Sequence, residues 1–282
     1  MTIEVSRLPP EAASGSVIRA SERSLPRGRG LLTLVLIAAF LWSILQIEWG
    51  GDLIHAGGVA VLIDLLSGLV RPDLSASIVR KALGAAWVTL TFAVASISLA
   101  LLFAIPAGIG ASGVLIRHAG ARRWTMLLGR AVLALMRSIH ELVWALLFVT
   151  AIGLSPYAAI LALAIPYAGI LGRIYADLLN DVPTAPLRAL RDAGGSELKV
   201  LFYGRLPLVL PDLIAYSFYR FECAMRSSAI MSFIGIAGIG YQIQLALDDL
   251  KYRQVSTYLL ALVVLVVATD IWSSQVRRAM VR

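Results

Sequence analysis

The chain has 282 residues, 59% of them hydrophobic and only 15% charged, with a mean hydropathy of +0.82; an average soluble domain is roughly 45–50% apolar and about 25% charged. That composition excludes an ordinary soluble globule and implies an all-α integral membrane protein. The 25 Lys and Arg exceed the 17 Asp and Glu, for a formal charge of +8. The basic residues flank apolar runs, as cytosolic loops require, so no nucleic-acid partner is implied. None of Lys81, Lys199 and Lys251 belongs to a G-x-x-x-x-G-K-[ST] loop, so the chain has no nucleotide-binding phosphate loop of its own. Cys223 is the single cysteine, which rules out an internal disulfide and a Cys-cluster metal site and leaves small-residue packing as its expected role.

In chain order, residues 1–30 are rich in Ser, Pro, Gly and charge and read as a flexible cytosolic tail rather than a signal peptide. The run "LLTLVLIAAFLWSILQIEW" (31–49), preceded by Arg27 and Arg29, is the first span, and "HAGGVAVLIDLLSGLV" (55–70) is a short external interfacial segment, so 31–80 forms one section. No charge occurs from Ala82 through Ile116, which places the second span in 84–112 despite Pro106. "RHAGARRW" (117–124) caps it with cytosolic charge.

Only 31 uncharged residues separate Glu141 from Arg173, and the turn signal "GLSP" (153–156) interrupts them. Two spans of about 20 residues do not fit there. Span three therefore runs from about Leu133 to Gly153 and includes Arg137, His140 and Glu141, and span four runs from about Tyr157 to Leu179. The stretch 180–207 is basic and too polar to cross, with room for one or two short helices outside the bilayer. Spans five (211–238) and six (255–275) follow. Six spans put both termini on one side, and the basic loops make that side the cytosol.

Charges inside spans are costly and face partners or cavities. Residues four apart share a helix face, so Arg137 with Glu141 and Glu222 with Arg226 are candidate internal ion pairs. They serve either packing or a translocation path. Arg220 has no acid three or four residues away, and Ser227 returns to nearly its face, so this pair could meet a passing oxyanion. His140 reads as a hydrogen-bonding group at a helix contact, "GIAGIG" (235–240) as a tight turn or hinge ending span five, and Asp270 as a group near the interface. No catalytic residue and no metal site is expected.

The loop "RALRDAGGSELKVLFYGRLP" resembles the Glu-Ala-Ala motif of ATP-binding-cassette importer permeases, with Ala189, Gly194, Leu206 and Pro207 in register. Arg188 stands where that family has Glu, Leu190 replaces the second Ala, and Gly204 takes an apolar place. "RSIHELVWALLFV" (137–149) and "YRFECAMRSSAIMSFIGIAGIG" (219–240) are similar to the phosphonate-type branch. The resemblance implies a core permease domain over 81–282 whose coupling loop, 180–207, seats on an ATPase through Arg188, Ala189, Gly194, Gly195, Leu206 and Pro207. It also implies a homodimer in the lipid of the plasma (inner) membrane, an ATPase dimer holding ATP and Mg, and an extracytoplasmic binding protein. The chain itself would carry no cofactor. The implied cargo is phosphonate, phosphite or phosphate, and the candidate path is lined by Arg137, Glu141, Arg220, Glu222, Arg226 and Ser227. Alternatives are a permease for another small solute, of methionine or sulfonate type, or an intramembrane hydrolase or lipid-modifying enzyme built on His140 and Glu141.

Overall fold

A computed structural model describes residues 26–46 and 58–280, and every regular element among them is a helix. The tail up to residue 25, the stretch 47–57 with His55, and the final two residues with Arg282 lie outside the described residues, as do the expectations attached to them. The chain divides into two units, Met1–Val59 and Ala60–Arg282. The first contains α1 (Pro26–Leu45), whose large apolar side chains from Leu31 to Leu45 are exposed except for the half-buried Ile44.

The second unit contains nearly all of α2 (Gly58–Val70), a short apolar helix. A turn follows in which the Thr257 hydroxyl donates to the Asp73 carbonyl at 2.9 Å. The long helix α3 (Ala76–Ser112) starts well before the uncharged run, because Arg80 and Lys81 are good helix formers and only Ser75 precedes as a stop. It ends at Gly113, which adopts φ +64°. Next come α4 (Ala119–Ser138), α5 (Glu141–Ile152) and α6 (Pro156–Asn180); the Ser155 hydroxyl caps α6 by accepting from Ala158 N–H. The polar stretch forms α7 (Thr184–Asp192), then α8 (Glu197–Lys199), whose backbone continues through a π-helical stretch, Val200–Arg205, into α9 (Leu206–Met231). One 3-10 turn and a loop lead to α10 (Ile239–Asp248), and α11 (Tyr252–Met280) ends the described chain.

Among the described residues three helices, α3, α6 and α11, are long and apolar enough to cross a membrane, or up to five spans if two bent pairs each count as one. Those three match expected spans two, four and six. Span three is corrected: α4 and α5 meet at an 81° bend rather than forming one rod. Span five is corrected as well. Its helix begins earlier, at Leu206, and is followed after a 42° bend by α10, which the residue pattern did not reveal.

Small residues let the backbones approach where hydrocarbon provides no drive for helices to associate. Ala93, Ala100 and Ala104 of α3 and Ala162 and Ala168 of α6 belong to one buried cluster with Leu163, Leu171 and Tyr175. A Cβ at Gly169 would lie 2.8 Å from the Leu133 carbonyl oxygen and 2.9 Å from Met136 Cβ, so α4 crosses α6 at backbone contact. The α10 entrance is held by buried polar groups. The Thr89 hydroxyl accepts from Ile239 N–H at 3.0 Å and donates to the Ala85 carbonyl at 3.0 Å, while the Ser228 hydroxyl donates to the Thr89 carbonyl at 2.8 Å.

Gly169→Leu should separate α4 from α6 and cost about 1–3 kcal/mol, the usual range for an overpacked core. Equilibrium unfolding of the purified protein in mixed micelles measures this, and an unchanged midpoint would contradict the close contact.

Candidate functional site

The α4–α5 break sets His140 and Glu141 at the start of α5. Ile139 and His140 are extended, with ψ 127° and 145°, so the helical ladder stops at Ser138 and restarts at Glu141. The His140 Nδ1 accepts from Leu142 N–H at 3.2 Å and thereby caps α5. Glu141 occupies the first turn of α5, where the helix dipole favours a carboxylate.

Glu141 Oε1 accepts from the Ser227 hydroxyl at 2.7 Å, and Ser227 Oγ lies 3.1 Å from the Tyr167 hydroxyl. Because the single Ser227 proton goes to the carboxylate, Tyr167 is the donor to Ser227. The chain Tyr167–Ser227–Glu141 thus ties α6, α9 and α5 together. The expected pair between Arg137 and Glu141 is corrected: the ladder breaks between them, which removes the shared face that spacing of four requires.

The expected pair between Glu222 and Arg226 is also corrected. Glu222 instead meets Arg277 of α11 at 3.0 Å, reaching across the interface rather than along its own helix. Arg226 is exposed, and its guanidinium reaches Cys223 Sγ at 3.8 Å. Arg137 is exposed too, and among the described residues neither arginine has an ion-pair partner. Arg220 donates to the Tyr216 hydroxyl at 2.6 and 3.0 Å and lies over the Tyr216 and Tyr219 rings. It is therefore held by aromatic partners, while Ser227 is held by Glu141, so the two are not joined in a common oxyanion grip. Asp212, Tyr216, Tyr219 and Arg277 line a cavity of about 390 Å³.

The second cluster is the helix–turn–helix of the polar loop. Gly194, at φ +83°, ends α7: its N–H donates to the Arg191 carbonyl and Gly195 N–H to the Leu190 carbonyl, both at 2.9 Å. This paired arrangement requires a left-handed residue, which glycine adopts without strain. A Cβ at Gly204 would fall 2.9 Å from both Leu187 and Leu190, so α7 lies directly on the π-helical stretch. Arg188, Ala189, Gly194 and Pro207 are exposed, and Gly195 and Leu206 are half-buried. Glu197 binds Arg191 at 3.0 Å and Arg117 at 3.1 Å, closing the turn and joining it to the α3–α4 connection. The buried Arg205 donates to the Leu179 carbonyl and closes the end of α6; burial pushes its guanidinium pKa down.

Tyr167, Thr89, Arg191, Glu197 and Arg117 were not among the expected site residues. Glu197 follows Arg191 by six residues and Arg117 is far away in sequence, so no helical spacing marks them. Tyr167 carried one usable signal, a hydroxyl following Pro166 in mid-span.

Bent apolar helices, buried polar ties and a helix–turn–helix with an exposed side define an all-helical membrane subunit. The chain belongs to the family described as "Binding-protein-dependent transport system inner membrane component", which it matches over residues 79–282. HtxC of Stutzerimonas stutzeri, assigned as a phosphite transport system permease protein, is 30% identical over 255 residues, covering 89% of this chain and 87% of that one. The phosphate-import permease protein PhnE of Mycolicibacterium smegmatis is 32% identical over 193 residues, covering 68% of this chain and 36% of that one. An inward-facing structure of the MetNI methionine ABC transporter shares the fold with a TM-score of 0.64 at 22% identity, covering 74% of this chain and all of that one. The chain is thus an inner-membrane ABC permease subunit and not an enzyme. The reading of His140 and Glu141 as a hydrolase centre falls with that, since His140 caps a helix and Glu141 accepts from Ser227.

Hydrogen bonding from Arg191, aided by Arg117 and opposed by desolvation, holds the Glu197 carboxyl below its ordinary value of 4.5. A depressed folded value means the tie contributes fully above about pH 4.5 and is lost as pH falls through the folded value. A spin label at Arg188→Cys in a Cys223→Ser background should keep constant mobility from pH 8 to about 4.5 and loosen only at lower pH. Glu197→Gln should loosen it at neutral pH and flatten the profile.

Proposed function

We propose that this permease carries phosphonate, phosphite or phosphate inward by alternating access, as the membrane part of an ATP-driven importer. The observation that carries the reading is the α4–α5 break, tied to α9 by the Glu141–Ser227 bond, with Arg137 in the last turn of α4 and Arg226 next to Ser227 in sequence both exposed. Guanidinium groups facing hydrocarbon would be costly, so they face water or a second copy. Two exposed arginines without ion-pair partners suit brief contact with an oxyanion, with weak enough binding to release it. Relatives named for phosphite transport and phosphate import support this cargo class. The likeness to a methionine transporter speaks for the fold alone.

In this reading α1 supplies a sixth span, both termini are cytosolic, and two copies enclose the path. The ATPase dimer, holding ATP and Mg, docks on the exposed side of α7 and the Gly194 turn, and an external binding protein delivers the cargo. Arg188, Ala189, Gly194, Gly195, Leu206 and Pro207 form the coupling surface; Gly194 sets its bend, and Glu197 replaces the missing acid of the loop as an internal brace. Arg137, Arg226 and Ser227 border the path with Glu141, while Arg220 and Glu222 hold α9 to its aromatic and α11 partners.

The test is uptake of radiolabelled phosphate, and separately of phosphite, in cells lacking this chain and complemented with wild type, Gly194→Trp, or R137Q/R226Q. Wild type should restore uptake, and methylphosphonate should compete. Gly194→Trp should abolish uptake with normal insertion, and R137Q/R226Q should lower it roughly tenfold, as for one lost charge-assisted contact. Undiminished uptake in R137Q/R226Q would reduce those arginines to packing groups. No uptake of either anion by wild type would sink the phosphate and phosphite assignments, and absence of direct methylphosphonate uptake as well would sink the cargo class.

A further inference from the structure

The start of α4 carries a cluster that the transport reading leaves unused. Arg117, Arg122, Arg123 and Arg130 line a cavity of about 510 Å³ together with Met126 and Leu127. Arg117 pairs with Glu197 and Arg130 with Asp177, both at 3.1 Å. Each carboxylate is already shared with another arginine, Glu197 with Arg191 at 3.0 Å and Asp177 with Arg173 at 2.8 Å. Among the described contacts Arg122 and Arg123 have no acidic partner, so the cavity holds a surplus of positive charge.

The cavity is anchored. The absent Cβ of Gly113 leaves room for the Arg122 stem and for Met126, whose Cγ atoms would lie 3.0 and 2.7 Å from such a Cβ. The basic rim runs directly into an uncovered apolar surface on the same helix: Trp124, Leu127, Leu128 and Leu135 are 58–66% exposed. Tryptophan beside arginine at the start of an apolar run is the composition of a membrane–water boundary. A small soluble anion would satisfy the arginines and leave the apolar surface bare, whereas a ligand with an anionic head and hydrocarbon tails satisfies both.

We infer that this cavity binds the headgroup phosphate of an anionic membrane phospholipid, with Arg122 and Arg123 as its principal donors and the acyl chains lying along Leu127, Leu128 and Leu135. Planar guanidinium groups pair with phosphate through parallel N–H donors, and basic pockets at the edges of membrane helices take such headgroups. Arg117 links the site through Glu197 to the Gly194 turn, so a bound lipid would brace the loop that the transport reading assigns to coupling. The binding itself is independent of which solute is carried.

The test is native mass spectrometry of the detergent-purified permease, full chain with its ATPase, incubated with phosphatidylglycerol or phosphatidylcholine. Wild type should retain phosphatidylglycerol preferentially, and R122Q/R123Q should lose that preference by roughly thirtyfold, the effect of two near-surface charges. The single variants R122Q and R123Q should each lose part of it, which keeps the test readable if the double variant does not assemble. Equal retention by wild type and variants would overturn the inference. Displacement of the lipid by millimolar inorganic phosphate would overturn it in favour of a free-anion site. Loss of the ATPase from the variants' complexes would overturn it in favour of a protein contact.

Discussion

Hydrocarbon offers no hydrogen-bond partner, so each point where this chain leaves the helical ladder needs an internal substitute. At the α4–α5 break the substitute is the His140 ring, which accepts from Leu142 N–H. At the α10 entrance it is the Thr89 hydroxyl, which accepts from Ile239 N–H. The same requirement explains why Ser227 and Tyr167 form a chain ending on Glu141: a carboxylate among apolar helices is tolerable only when donors are aimed at it.

Those local solutions depend on helices that approach closely. Alanine and glycine along α3 and α6 bring backbones together, so short hydroxyl side chains reach from one helix to the next. Ser228 reaches the Thr89 carbonyl only because α9 lies against α3. Packing of small residues and satisfaction of polar groups therefore form one design, and bulk added at Gly169 would disturb both.

The polar loop follows a different rule because it lies among water and charge. Its bend is set by the left-handed Gly194, and its position by a carboxylate shared between two arginines from separate elements. A single exposed ion pair stabilises little; here Glu197 is only 13% exposed and serves two guanidinium groups, so it also determines geometry. The loop is consequently attached to the α3–α4 connection as well as to the helices that flank it in sequence.

Much of the membrane architecture was legible from residues alone. Uncharged runs at 82–116 and 142–172 marked the long helices and the GLSP turn signal marked the break before α6, because hydropathy and turn chemistry are local properties, while the Ala189–Pro207 pattern was read through its resemblance to the Glu-Ala-Ala motif. The charged groups were found in the correct stretches, but their partners were not. Spacing of four suggested Arg137 with Glu141 and Glu222 with Arg226, whereas the structure joins Glu141 to Ser227 and Glu222 to Arg277. By itself the sequence determined which residues are too polar for hydrocarbon and where helices can run. Only the tertiary structure decided where they break, which side chains meet across them, and which arginines remain open, because those outcomes depend on the approach of helices distant in the chain.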